Sequence, residues 1–326
     1  MPADNFQAEF QRRRGHLTDS HVRALAWLLD APDLLDPLAA QWQGRIATLF
    51  DHQGTEIDAW LLELDRDPAP LLATIDAHPS NRLGRYAERL MAFFFRHQGI
   101  LCAHGVQVRA GKNDTVGEFD FLLWRGAPLQ ADGRRALLHW EFATKFYLLE
   151  SSGAGRDADY LVGPNLADTL GAKMRKILDR QLSLSSHPAA QVHLPQTVDS
   201  AQALIKGWLF YPLGQPQPAL SLGVSAAHCR GFWATLAEAE YLPGERYLIL
   251  PRLSWLAPAR AASDACIGRL DLRETLNAHF ATDTLPLLVA VMRVQVQDRD
   301  VAVETGRGFI VPNDWRGRAR ERVQGR

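Results

Sequence analysis

Residues 137–150 read LLHWEFATKFYLLE. The aromatic and aliphatic content is that of a buried β-strand. Within it stand Glu141 and Lys145, two charges that are costly to desolvate unless each finds a partner. Side chains alternate along a strand, so His139, Glu141, Ala143 and Lys145 share one face while Trp140, Phe142 and Phe146 fill the other. The preceding segment VGEFDFLLW is built the same way, with Glu118 and Asp120 on one face and Phe119 and Phe121 on the other. If the two strands are neighbours, Asp120 and Glu141 lie side by side with Lys145 close by.

That cluster has two readings. Two carboxylates a few ångströms apart repel unless a cation lies between them, and a hard divalent ion such as Mg²⁺ takes oxygen ligands from one or two carboxylates plus a substrate phosphate. A nearby lysine can stabilise negative charge on that phosphate, so the set suits phosphodiester hydrolysis. Alternatively the cluster is a cross-strand ion pair on an edge strand, worth about 1 kcal/mol or less.

Outward from this centre, SNRLGRYAERLMAFFFRHQG predicts a helix of about sixteen residues with Leu83, Tyr86, Ala87, Leu90 and Phe94 on one stripe, Glu88 on its flank and Gly99 ending it. GVQVRAG predicts the first of three strands. NLADTLGAKMRKILDRQLSLS predicts a second helix, with Leu166, Leu170, Met174, Ile177 and Gln181 sharing a face, and ALIKGWLFYPLG predicts a further strand. The expected order is helix, three strands, helix, strand. Upstream, TDSHVRALAWLLDAP predicts a helix capped by Thr18, and IDAWLLELD another apolar segment. After the turn GQPQPAL the pattern loosens into short helices and strands. The expected organisation is an N-terminal helical segment over 1–79, a mixed α/β core over 80–215, and a C-terminal α/β extension or small second domain over 216–326. The arginine-rich end RGRARERVQGR reads as a solvated tail.

Composition narrows the class. The chain has 326 residues, 47% hydrophobic and 22% charged, which is ordinary for a globular protein. No apolar run reaches the roughly eighteen residues of a membrane span. The N-terminus lacks the apolar core of a signal peptide, and three scattered cysteines form no framework or zinc spacing, so a cytoplasmic protein without membrane contact is expected. A net charge of −1 does not advertise nucleic-acid binding, although a local basic groove is compatible with it. GAGRDA matches a dinucleotide-binding glycine pattern only formally, because Gly163 and Pro164 interrupt the helix it would need; it reads as a loop. GVSAA lacks the second glycine of a nucleophile elbow, and His228 beside Cys229 is no triad. Trp208, Trp233, Trp255 and Trp315 read as packing residues.

The element order, with an acid on the second strand and an acid and a lysine on the third, resembles the core of the PD-(D/E)XK nuclease-like superfamily, a restriction-endonuclease-like fold. The resemblance covers roughly residues 80 to 212 and rests on short motifs. It implies metal binding by Asp120 in GEFDFLL and Glu141 in HWEFATK, assisted by Glu88 in RLGRYAERL, with Mg²⁺ or Mn²⁺ as cofactor. Lys145 would be the catalytic lysine, Gln181 would assist, and Lys173, Lys176 and Arg180 would approach a nucleic-acid substrate. The whole chain resembles the uncharacterised bacterial family called domain of unknown function 1853, through VRALAWLL, RLGRYAERL, GEFDFLL, HWEFATKFYL, GPNLADTL, GWLFYPLG and LILPRLSWLAP. One position departs from the superfamily pattern. Ala143 stands two residues after Glu141, where the lysine is usual, and Lys145 stands four after, about 7 Å farther along the strand. The expectation is therefore a Mg²⁺-dependent nuclease or, alternatively, a catalytically inactive nuclease-fold protein serving as a nucleic-acid-binding or protein-interaction scaffold.

Overall fold

The computed structural model describes residues 6–49, 55–77, 80–111, 114–125, 135–153, 158–215 and 223–325. The interiors of GAGRDA and of GQPQPAL lie outside the described residues. Four N-terminal helices, α1 (Phe6–Arg14), α2 (Ser20–Asp30), α3 (Thr55–Arg66) and α4 (Ala69–Asp76), precede α5 (Leu83–His97). Strands β1 (Leu101–Gly111), β2 (Asp114–Arg125) and β3 (Ala136–Leu149) follow, then the short β4 (Leu161–Val162), α6 (Leu170–Asp179) and β5 (Ser200–Pro212). The rest comprises β6 (Cys229–Thr235), β7 (Arg246–Ile249), β8 (Arg260–Ala262), β9 (Ile267–Gly268), α7 (Arg269–Phe280), β10 (Leu287–Val294), β11 (Val301–Val311) and α8 (Trp315–Gln324).

The eleven strands among the described residues belong to one mixed sheet, ordered β1-β2-β3-β5-β6-β11-β10-β7-β9, with β4 pairing β3 and β8 pairing β11. The first three strands are an antiparallel meander; β3, β5, β6 and β11 then run parallel to one another. β3 is therefore interior, paired on both sides. This explains its near-continuous apolar sequence, because an interior strand covered on both faces has no solvent side.

The cover on one face is α5 and the N-terminal helices. The α5 stripe buries Tyr86, Leu90, Phe94 and Phe95, and Phe95 meets Phe121 and Trp140 edge-on at ring separations of 5.2 and 5.9 Å. Gly99, with φ of 65°, supplies the left-handed residue that ends the helix and turns the chain into β1. On the other face, Leu170, Met174 and Ile177 of α6 pack with Tyr147, Leu149, Ile205 and Leu209. The expected order of helix, three strands, helix and strand is present over α5 to β5, with only β4 intervening.

Several local expectations are corrected. Asp19, not Thr18, caps α2, accepting from the backbone N–H groups of His21 and Val22, while Asp65 engages Thr18. α6 is shorter than its apolar pattern suggests: Leu166 precedes it at φ of 60°, and Gln181 opens a 3₁₀ segment that follows it. The start of α6 is set by Thr169 and Asp159, both of which accept from Ala172 N–H. The arginine-rich end is a helix, α8, rather than a solvated tail. Trp315, Ala319 and Val323 are buried, Trp315 Nε1 donates to Pro164 O at 2.7 Å, and Arg316 pairs with Glu238 while lying 4.3 Å over the Trp233 ring. Its few apolar residues fall four apart, so a mostly charged segment still docks one narrow stripe. No helix among the described residues is long and apolar enough to cross a membrane.

Candidate functional site

β2 and β3 are paired only from Arg125↔Ala136 to Phe121↔Trp140. Beyond that point β3 continues along β5, and β2 continues along β1. Asp120 and Glu141, the next residues on each strand, thus stand at a fork in the sheet. A backbone N–H left without a strand partner must be satisfied some other way. Phe142 N–H donates to Asp120 Oδ2 at 2.9 Å, which anchors the aspartate at the fork.

Asp120 is joined there by Glu118, two residues back on β2, and by Glu88 from the flank of α5. All three are half-buried, and one carboxylate oxygen from each lies within 4.8 Å of the others. Burial and mutual repulsion act together on Asp120 and Glu88. Asp120 is pushed up to about 7, chiefly by burial and next by the charge of Glu141, against the Phe142 N–H bond and Lys173, which favour ionisation. Glu88 is likewise pushed up to about 7, by burial and then by Asp120 and Glu118. Two acids raised in this way hold protons near neutral pH until a cation replaces them. Three hard oxygen donors in this spacing form a set that can hold a metal ion, since two ligands of one hard cation are separated by at most about twice the 2.0–2.6 Å metal–oxygen distance.

Glu141 behaves differently. It is 1% exposed, with His139 Nε2 at 2.9 Å from Oε1 and Gln181 Nε2 donating to Oε2. Burial lowers His139 to about 4, so the ring is neutral; Nε2 shares one hydrogen bond with the Glu141 carboxyl, and the buried Nδ1 has no hydrogen-bond partner. Burial also raises Glu141 to about 7, opposed by Lys173. Lys173 Nζ in turn donates to Gln181 Oε1 at 3.3 Å. A continuous chain therefore runs His139–Glu141–Gln181–Lys173, from the sheet interior to the wall of a cavity.

That cavity has a volume of about 430 Å³. Glu88 and Asp120 line it together with Lys145, Lys173, Gln181 and the Arg252–Trp255 turn. Lys145 is engaged elsewhere: its ammonium donates to Asp168 Oδ2 at 2.7 Å, where Tyr147 OH also donates at 3.2 Å.

The family model for Domain of unknown function (DUF1853) matches residues 23–311. The chain belongs to this family. No curated protein and no solved structure matches it.

Of the residues singled out in this DUF1853 chain from sequence, Glu88, Asp120, Lys145, Lys173 and Gln181 meet at one cavity, and Glu141 lies behind it, bonded to Gln181. Lys176 is exposed on α6 but close enough to favour ionisation of Glu141, and Arg180 is exposed at the end of that helix. Two residues were missed. Glu118 shares its face with Asp120 by strand alternation, a signal present in GEFDF but not used for a ligand. Trp255 is half-buried in the cavity wall, unlike the buried Trp208, Trp233 and Trp315, and nothing local in the sequence separates it from them.

Proposed function

We propose that this protein is a divalent-metal-dependent phosphodiesterase acting on nucleic acid, organised in the manner of the PD-(D/E)XK nucleases. The observation that carries the reading is the convergence of Glu88, Glu118 and Asp120 within 4.8 Å at the strand fork, on a cavity that also presents a half-buried lysine. Acids pushed to about 7 by burial and repulsion are relieved by a cation. Glu88, Glu118 and Asp120 would hold Mg²⁺ or Mn²⁺, both of which prefer oxygen ligands. Bound there, the ion would supply Lewis-acid stabilisation of phosphoryl oxygens and a more acidic water.

In this reading Lys173, rather than Lys145, presents the ammonium to the scissile phosphate. Burial makes Lys173 easier to deprotonate, so its charge is held in a poorly solvated place where it acts strongly on negative charge developing nearby. Gln181 aligns it, and Glu141 with His139 aligns Gln181. The displaced lysine position of β3 is thereby compensated from α6. Lys145, neutralised by Asp168, holds the 163–168 loop against β3.

The test is a cleavage screen over DNA and RNA with Mg²⁺ and Mn²⁺. Asp120→Asn should lower the rate by about 1,000-fold, the equivalent of roughly 4 kcal/mol of lost charge stabilisation. Lys173→Met should lower it by about 100-fold and Lys145→Met by only a few-fold. Metal-independent cleavage, or cleavage that survives Asp120→Asn, would sink the reading.

A further inference from the structure

The cavity is closed by a segment outside the strands that carry the acids. Arg252 and Trp255, from the turn after β7, line it together with Arg82 and Arg85 at the start of α5. Trp255 is held by its Nε1 donating to Leu250 O at 3.0 Å and by edge contacts with Phe146 and Phe309 at 5.6 and 5.1 Å. The Arg252 guanidinium lies 5.5 Å from the ring centroid and is otherwise exposed. Among the described residues, Arg82, Arg85 and Arg252 make no ion pair and no side-chain hydrogen bond. Arg85 acts on Glu88 through charge alone, and the guanidinium donors of all three arginines are left without acceptors, an arrangement that makes them available to anionic oxygens.

The size of the cavity suits one nucleotide. A volume of about 430 Å³ falls at the lower end of the roughly 300–1,000 Å³ of pockets that take one small ligand. A paired base inside a duplex cannot enter such a space, whereas one unpaired nucleotide can. Enzymes that must reach a single nucleotide act on single strands or draw it out of the stack. Aromatic and guanidinium planes supply a sequence-tolerant platform for one unpaired base.

We infer that the site takes a single-stranded polynucleotide, with one base against the Arg252–Trp255 pair and the flanking phosphates on Arg82, Arg85 and Lys173. This rests on the phosphodiesterase reading for its chemistry but makes a claim about strand form that binding alone measures. The probes are fluorescein-labelled oligothymidylate and oligouridylate, and a labelled blunt duplex of the same length, followed by anisotropy with the full-length protein in EDTA, so that no metal-dependent cleavage intervenes. The single strand should bind at least ~10-fold more tightly than the duplex, and Arg252→Ala should weaken it by about 10-fold while leaving the duplex unchanged. Arg252 is exposed, so this variant leaves the core intact. Arg252→Lys, which keeps the charge but loses the plane, should recover less than half of the loss; Trp255→Phe, which keeps an aromatic face, should bind within about threefold of wild type. Equal or tighter duplex binding, no binding of either strand, or single-strand binding unmoved by Arg252→Ala would overturn the inference. Those outcomes are separable from failure of the phosphodiesterase reading, which is decided by the metal dependence of cleavage and its loss in Asp120→Asn.

Discussion

In the C-terminal half of the sheet, Glu304 and Arg307 of β11 are buried as a pair; in the N-terminal half, Glu88, Glu118, Asp120 and Glu141 gather beside Lys173, with Arg85, Arg89 and Lys176 also favouring the ionised forms. The first group is balanced and bonded within the fold. Arg307 Nε and Nη2 each reach a Glu304 oxygen at 2.7 Å, Nη2 also reaches Ala257 O and Nη1 reaches Trp255 O, and Glu304 also accepts from Ala259 N–H at 2.8 Å. The guanidinium lies 4.3 Å from the centre of the Trp208 ring. In the second group, Glu88, Asp120 and Glu141 are pushed up to about 7, chiefly by burial, in spite of the cations around them. A buried charge whose every bond is filled within the fold needs nothing further. Carboxylates buried side by side without direct cationic partners, opening on a cavity, store a cost that a ligand relieves.

The comparison can be broken most forcefully at the balanced pair. Arg307→Met leaves Glu304 buried without its partner, and removal of one member of such a pair costs about 3–5 kcal/mol. Chemical denaturation should register that loss. A change below about 1 kcal/mol would mean that the pair is not held as the geometry indicates.

The acidic group should respond in the opposite direction, and more weakly. Asp120 has its pKa raised from the ordinary carboxylate range to about 7, so between those values the folded protein keeps a proton that the unfolded chain has released. Stability of the metal-free protein therefore falls as pH rises through that window, and the full cost is present above 7. Asp120→Asn removes the charge while an amide oxygen can still accept from Phe142 N–H. In EDTA near pH 8 it should raise stability by about 1 kcal/mol, or roughly 2 °C in Tm, and the gain should fade as the pH is lowered through 7 towards 4. A destabilised variant at pH 8 would mean that the aspartate serves the fold rather than a ligand.

How much of this was legible in the sequence follows from the same contrast. Strand alternation in GEFDFLLW and HWEFATKFYLL put Glu118, Asp120, Glu141 and Lys145 on their faces, and the apolar stripe of RLGRYAERLMAFFF put α5 against the sheet. Periodicity speaks only of faces within one element, however. It put Asp120 beside Glu141, as found, but could not show that β2 and β3 part after Phe121↔Trp140, which lets Glu88 and Glu118 join Asp120 while His139 and Gln181 bond Glu141. Nor could it show that Asp168, twenty-three residues on, claims Lys145. β11 was not anticipated because VAVETGRGFIV mixes charges and glycines into a buried strand. Glu304 and Arg307 neutralise each other there, and a Cβ at Gly308 would come within 2.0 Å of the Phe232 ring on the adjacent β6. Long-range pairing makes both features, so no local pattern reports them.

The central claim is that Glu88, Glu118 and Asp120 form a cation site, and calorimetric titration with Mn²⁺ and Mg²⁺ tests it most directly. The account predicts one saturable site near pH 8, with affinity lowered by about 10- to 100-fold near pH 6, because Glu88 and Asp120 must release protons held to about 7 before oxygen can bind metal. It also predicts that Glu118→Gln, at the residue that sequence motifs alone left out, loses most of the affinity while Lys145→Met keeps it. Binding that is unaffected by Glu118→Gln, or no saturable binding at pH 8, would contradict the account.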